Sequence, residues 1–249
     1  MPIGARVYGL AAVALGIPGL IYGSFAAMGL PVPPHIPGYQ VLAWAAAGLL
    51  ILAGFAVNLR RTALVASLAL AAFFALCVLA LHVPAVVRQP MVWVSYEGLA
   101  EVTVMALGGL LAFTLAPGAR RSRAAAIFRI ARPLFGLCLI VFGISEFVYA
   151  GFTASLVPAW LPPSRPFWTY MTGAAQIAAG LAIVSGIRAR LAAILLTAMY
   201  LVFGLIVHLP RVIADPSGAG IWAENGVNLV LAGAAWVLVD SLARAKARR

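Results

Sequence analysis

His82-Val83-Pro84-Ala85-Val86-Val87-Arg88-Gln89-Pro90 has a second version 126 residues later, His208-Leu209-Pro210-Arg211-Val212-Ile213-Ala214-Asp215-Pro216. The shared pattern is His-x-Pro-x-Val-(Val/Ile)-x-x-Pro. Each version closes a long apolar run. Each is followed, 15 or 16 residues after its His, by a glutamate, Glu97 or Glu224. A chain of 249 residues that carries this signature twice reads as one unit duplicated.

Working outward, the correspondence extends over the whole chain. Gly16-Ile17 matches Gly143-Ile144, Tyr22 matches Tyr149, Phe25 matches Phe152, and Gly54 matches Gly180. Arg60-Arg61 matches the Arg188-Ala189-Arg190 turn. A membrane-spanning helix needs about 20 mostly apolar residues, and the sequence predicts eight: 6–30, 39–59, 62–84, 95–116, 133–156, 167–187, 190–212 and 222–242. Proline-rich stretches at 31–38 and 157–166 end one span and reset the next, because proline has no N–H and disfavours helix before it. The expected fold is therefore all-α: an integral membrane helical bundle of eight transmembrane helices, arranged as two parallel four-helix repeats. Residues 1–117 form the first repeat, 118–132 a basic linker, and 133–249 the second repeat with a basic tail. Four spans per copy give both copies the same orientation, related by a pseudo-twofold axis along the membrane normal.

Composition agrees. Mean hydropathy is +1.06 and only 9% of residues are charged, against about a quarter in soluble domains. The net charge of +11 does not point to nucleic acid. Fourteen of the 17 basic residues fall on one side of the predicted topology: Arg6, Arg60-Arg61, the five arginines of 120–132, Arg188, Arg190 and the Arg244–Arg249 tail. Only Arg88, Arg165 and Arg211 fall on the other. Basic residues accumulate on the cytoplasmic side, which puts both termini there and makes membrane lipid the first partner. Trp93, Trp160, Trp168 and Trp222 then sit at the outer interface. Residues 7–30 imitate a signal peptide, but the run exceeds the usual 7–15 residues or so and has a counterpart in the second copy, so it reads as a retained helix. Residues 117–132 suit either a solvated linker or a short amphipathic surface helix, and Pro133 suits the first turn of the fifth span. Cys77 and Cys138 lie in apolar runs, outside any Cys-x-x-Cys pair, and read as buried thiols.

The scarce polar residues are the candidate site. His82 and His208 fall at the outer ends of their spans, and Glu97 and Glu224 open the spans that follow. Each His/Glu couple is suited to proton transfer, since histidine titrates near neutral pH and a carboxylate can orient it. A helix-capping role for the histidines is the alternative. One His and one Glu per copy fall short of the three or four ligands a metal needs, so no metal site is expected. Glu101 lies one helical turn inward from Glu97 on the same face. Glu146 lies about 21 Å into its span. A charge at that depth costs about 2.5–3.5 kcal/mol, so Glu146 must face a polar cavity or be protonated. Gln176 is its expected hydrogen-bond partner. Arg88 and Arg211, just beyond the histidines, are placed to bind an anionic group or lipid phosphate. Catalytic-type roles thus fall to Glu146, Glu101, His208, His82, Glu224 and Glu97, and ligand-binding roles to Gln176, Arg211 and Arg88.

The order Phe167-Trp168, Gly173…Gln176…Gly180, Arg188-x-Arg190-x-Ala192-Ala193 and Tyr200…His208-Leu209-Pro210…Pro216…Trp222 resembles the DoxX family of small four-span bacterial membrane proteins. The resemblance runs from Arg132 to about Val239, and the first copy looks like a divergent unit of the same type. It implies a four-helix unit, a bacterial cytoplasmic (inner) membrane location, and a link to redox metabolism, since some family members are subunits of thiosulfate:quinone oxidoreductase. Gln176 and Asn228 stand where the family often carries acids. Three functional readings follow: a redox-associated, quinone-linked membrane subunit or enzyme with a site in the outer half of the bilayer and a redox partner; a small-molecule or proton-coupled carrier; and a non-catalytic assembly subunit. A quinone is the cofactor class this pattern accommodates, and there is no ligand set for haem.

Overall fold

The structure is a computed structural model. It describes residues 1–247, so Arg248 and Arg249 of the basic tail lie outside the described residues. The elements are α1 (Ile3–Tyr22), α2 (Tyr39–Val57), α3 (Ala63–Cys77), α4 (Val83–Arg88), α5 (Trp93–Leu115), α6 (Arg121–Val148), α7 (Ala150–Leu156), α8 (Arg165–Ser185), α9 (Ala189–Phe203), α10 (Leu209–Ala214) and α11 (Ala219–Lys246). A π-helical turn at Val78–His82 joins α3 to α4, and another at Gly204–His208 joins α9 to α10. Counting α3–α4 and α9–α10 as single rods, eight helices are long and apolar enough to cross a membrane. The chain has the pattern of a multi-pass membrane protein whose outward apolar faces suit lipid.

α5 and α11 form the enclosed centre, with Gly108 facing Ala234 where they cross. α1 packs along α11, and α6 along α5. Around these, α1 packs on α2, α2 on α3 and α3 on α5. In the second half α6 packs on α8, α8 on α9 and α9 on α11. The Tyr8 hydroxyl donates to the Met105 carbonyl at 2.7 Å and ties α1 to α5 at the centre.

The same local contacts occur twice, 126 or 127 residues apart. A Cβ on Gly54 would lie 2.5 Å from the Gly9 carbonyl oxygen, and one on Gly180 would lie 2.5 Å from that of Gly136. Only glycine permits these backbones to touch, and in an apolar solvent such close packing is what holds helices together. The Tyr96 hydroxyl donates to the Pro90 carbonyl at 3.0 Å, and the Trp222 indole N–H to the Pro216 carbonyl at 2.9 Å.

The two His-x-Pro stretches do not end their helices as the sequence predicts. Each helix runs on to Arg88 or Ala214 through its π turn. The prolines explain the turn. Pro84 and Pro210 have no N–H to give the carbonyl four residues back, and their rings would collide with it in a regular α-helix. Widening by one residue relieves the clash.

Other boundaries also shift. The first span ends at Tyr22 rather than Leu30, because Gly23 adopts a left-handed conformation (φ 57°) and a 3₁₀ turn follows at Ala26–Met28. Arg121–Arg132, expected to lie in a separate linker, are the first turns of α6. Ala124-Ala125-Ala126-Ile127 and Ala131 favour helix. Pro133 therefore sits inside α6 rather than at its first turn, and forfeits only the bond to the Arg129 carbonyl.

Candidate functional site

At the end of the bundle that carries the His-x-Pro turns, a cavity of about 850 Å³ lies among α5, α6, α7, α8 and the α9–α10 rod. Its floor and side are apolar: Leu195, Ala198, Met199, Val202 and Ile206. Tyr149, Phe152, Trp168 and Phe203 contribute aromatic walls. Leu195, Val202 and Phe152 are also exposed on the outer surface (61%, 48% and 68%), so the cavity communicates with the side that would face lipid.

The polar wall is assembled where α5 begins and α6 ends. The Trp93 indole donates to the Ser145 hydroxyl at 2.8 Å, and the Val94 N–H donates to the Tyr149 hydroxyl at 3.0 Å. These bonds fix the two helix ends together. One turn along α5, Glu97 lines the same cavity as Ser145 and Glu146 and is within electrostatic reach of Glu146. Gly173 of α8 lies against Glu146, where a Cβ would come 2.9 Å from that of the acid. Oε2 of Glu146 is buried without a hydrogen-bond partner among the described residues. A buried polar atom left this way costs about 1–3 kcal/mol, so its position calls for a partner inside the cavity.

His208 lines the cavity from its π turn. Its Nδ1 has no hydrogen bond among the described residues and stands 4.0 Å from Oε2 of Glu224. That same oxygen accepts from Arg211. Glu224 is thus held behind His208 by Arg211 and does not itself line the cavity.

One turn deeper lies a second polar layer. Glu101 follows Glu97 on α5 and is within electrostatic reach of Tyr200 on α9, as are Glu146 and Cys138. The Tyr200 hydroxyl and Oε1 of Gln176 are buried (3% and 4% exposed) without partners among the described residues. Asn228 donates to the Tyr200 carbonyl at 2.9 Å and fixes that part of α9.

Of the nine sequence candidates, Glu97, Glu146 and His208 meet at the cavity. Glu101 and Gln176 lie on the turns beneath it, and Glu224 and Arg211 form an ion pair behind His208. His82 and Arg88 do not line it. The expected His82–Glu97 couple does not form. His82 packs against Gly98, whose Cβ would lie 3.0 Å from its Nδ1, while Glu97 turns toward α6. The residue that corresponds to Glu224 is Gly98, not Glu97. Glu146 has Gln176 among its deeper neighbours, but no hydrogen bond joins them. Among the described residues no three His, Cys, Asp or Glu side chains are grouped to hold a metal ion. Sequence reasoning placed Trp93 and Trp168 only at the outer interface, and it missed Ser145, Thr153, which lines the cavity, and Tyr200 as site residues.

At the corresponding place in the first half the matching positions are apolar apart from His82, and Met28 fills the space at Gly19. Glu97, Glu101, Glu146, Gln176 and Tyr200 have Ala223, Val227, Gly19, Leu50 and Phe74 at the matching positions. Met28 is buried (1% exposed) against Gly19, where a Cβ would come 2.4 Å from its sulfur.

Residues 135–237 match a family model described as a domain of unknown function, DUF8561. This stretch takes in the second half of α6, all of α7, α8, α9 and α10, and the first two-thirds of α11, and so covers every cavity-lining element except α5. No curated protein and no solved structure matches the chain.

Proposed function

We propose that this protein holds a quinone-class, lipid-soluble molecule in the α5–α9 cavity, as a redox-associated subunit of a bacterial inner membrane. The observation that carries the reading is Glu146: a buried carboxyl oxygen without a partner among the described residues, in the wall of a mainly apolar cavity of about 850 Å³. A quinone head offers two carbonyl acceptors on a flat ring. The ring suits the aromatic walls, one carbonyl suits the protonated Glu146 carboxyl as its donor, and an isoprenoid tail suits the opening beside Leu195 and Val202. His208 and Glu97 stand on the same cavity and supply proton relay groups. Reduction of a bound quinone to the quinol takes two electrons and two protons. The protons come through these side chains, and the electrons come from a cofactor-bearing partner protein. The DoxX-like motif order of 132–239 adds support.

The same reading takes the chain as two parallel repeats with both termini cytoplasmic. It is supported by the recurring glycine crossings, π turns and aromatic–proline bonds, and by the skewed arginine distribution. The place in the first half lacks the matching acids and holds Met28, so one ligand per chain is expected. Reporter fusions after residues 61, 90 and 187 test the orientation.

The decisive experiment is titration of the protein in lipid nanodiscs with a short-chain quinone, read by the fluorescence of Trp168 and checked with Trp168→Phe. Saturable binding at one site per chain is expected, weakened roughly tenfold or more by Glu146→Gln. Absence of binding, or equal binding by the variant, rejects the proposal. The carrier reading has one specific observation behind it: the π turn Gly204–His208 is a helical defect in the cavity wall, where a helix can flex. Accumulation of a lipophilic cation by vesicles, dependent on Glu146, would favour that reading.

A further inference from the structure

At the opposite, arginine-rich end of the bundle, a cavity of about 630 Å³ opens among the ends of α5 and α11 and the first turns of α6. Arg129, Arg132 and Arg244 line it, beside Ser122 and Ser241, and among the described residues no Asp or Glu lines it. We propose that this cavity binds the phosphate group of an anionic membrane lipid.

Two of its guanidinium groups are fixed by the backbone. Arg132 donates to the Val184 carbonyl at 3.3 Å, and Arg244 donates to the Thr114 carbonyl at 3.0 Å. A guanidinium has five N–H donors, so this bond leaves Arg132 with further donors in a set orientation. Neither Arg129 nor Arg132 forms a salt bridge with a described residue. Like charges held around one cavity repel, and more strongly beside low-dielectric protein than in water. An oxyanion removes that cost and meets the guanidinium forks with matched geometry.

The remaining lining selects the source of the phosphate. Leu115, Ala124, Ala125 and Phe128 form an apolar side to the same cavity. A free phosphate makes no use of them, whereas glycerol and the first acyl carbons of a phospholipid do. Basic cavities between membrane helices are sites of this kind. The straightening of Arg121–Arg132 into α6 is what brings Arg129 and Arg132, one turn apart on one face, over the ends of α5 and α11.

The test uses the full chain in nanodiscs of phosphatidylcholine containing phosphatidylglycerol, with native mass spectrometry of the lipid retained on release. Selective retention of phosphatidylglycerol is expected, reduced roughly fivefold for each arginine removed in Arg129→Gln and Arg132→Gln. The pair Arg60→Gln and Arg61→Gln, at the same end but outside the cavity, should retain it. Ala125→Asp places a carboxylate in the cavity near the start of α6, where an acid favours the helix. It should displace the lipid with the fold intact, which separates loss of the site from loss of the protein. If phosphatidylglycerol shows no preference but inorganic phosphate raises the melting temperature, and the cavity variants abolish this, the lipid source is overturned and an anion site remains. Equal loss in both arginine pairs, or no effect of any phosphate, overturns the proposal.

Discussion

Gly19 and Met28 touch so closely that a methyl group on the glycine would lie 2.4 Å from the methionine sulfur. The matching position in the second half is Glu146, which faces an open cavity. The two sequence-matched positions thus differ, one closed by Met28 and the other open. Met28→Ala should open the plugged place at a cost of about 2 kcal/mol or more in stability, without creating a quinone site, because Ala223, Val227, Leu50 and Phe74 supply no polar wall. Denaturation in mild detergent and the quinone titration check the two parts. A second equivalent of bound quinone in this variant would contradict the claim that the polar wall matters.

The glycine crossings predict a graded series. At Gly180 an added Cβ meets the Gly136 carbonyl oxygen at 2.5 Å, a backbone atom that cannot step aside. At Gly48 it meets nothing within 4 Å. Gly180→Ala should separate α6 from α8 and cost about 1–3 kcal/mol. Gly48→Ala should be neutral or stabilise by up to about 1 kcal/mol, because glycine is a poor helix former. Melting temperatures of the two variants, compared side by side, decide it.

Pro210→Ala restores an N–H where the π turn lacks one. The turn should relax toward α-helix, rotating His208 out of the cavity wall. Thermal stability is expected to hold or rise, since an interior proline is costly, while quinone affinity falls. Pro84→Ala makes the same backbone change in the first half, where His82 does not line this cavity, and should leave binding unchanged. Equal loss of binding in both would show that the turns act through global packing.

Tyr200→Phe removes a buried hydroxyl that has no protein partner among the described residues. The first half carries Phe74 at the matching position, so the ring is accommodated. Stability should change by less than about 1 kcal/mol, because no protein hydrogen bond is lost. Quinone affinity should fall if the deeper layer of Glu101, Gln176 and Tyr200 holds the water or ligand head that satisfies these atoms. Affinity and melting temperature measured on one preparation separate the two effects.

Much of this molecule was legible in the chain. Eight apolar runs, proline-rich breaks and the His-x-Pro recurrence identify the helices and their order, because a bilayer requires continuous apolar helices of set length. Comparing the two halves also flags Glu146, polar where its counterpart is Gly19; the same comparison applied to Tyr200, whose counterpart is Phe74, is the signal that the motif reading passes over. Only the tertiary structure decided that Glu97 turns to Ser145 and Glu146 while its neighbour Gly98 receives His82. Successive helical residues point about 100° apart, so a one-residue phase separates a His–Glu couple from an acid facing another helix. Helices apolar on every side show no stripe that reveals their neighbours, since lipid and protein interior are both apolar. The packing of α6 on α8 follows from glycine contacts, and that of α6 on α5 from the Trp93–Ser145 and Val94–Tyr149 bonds, all between segments far apart in sequence.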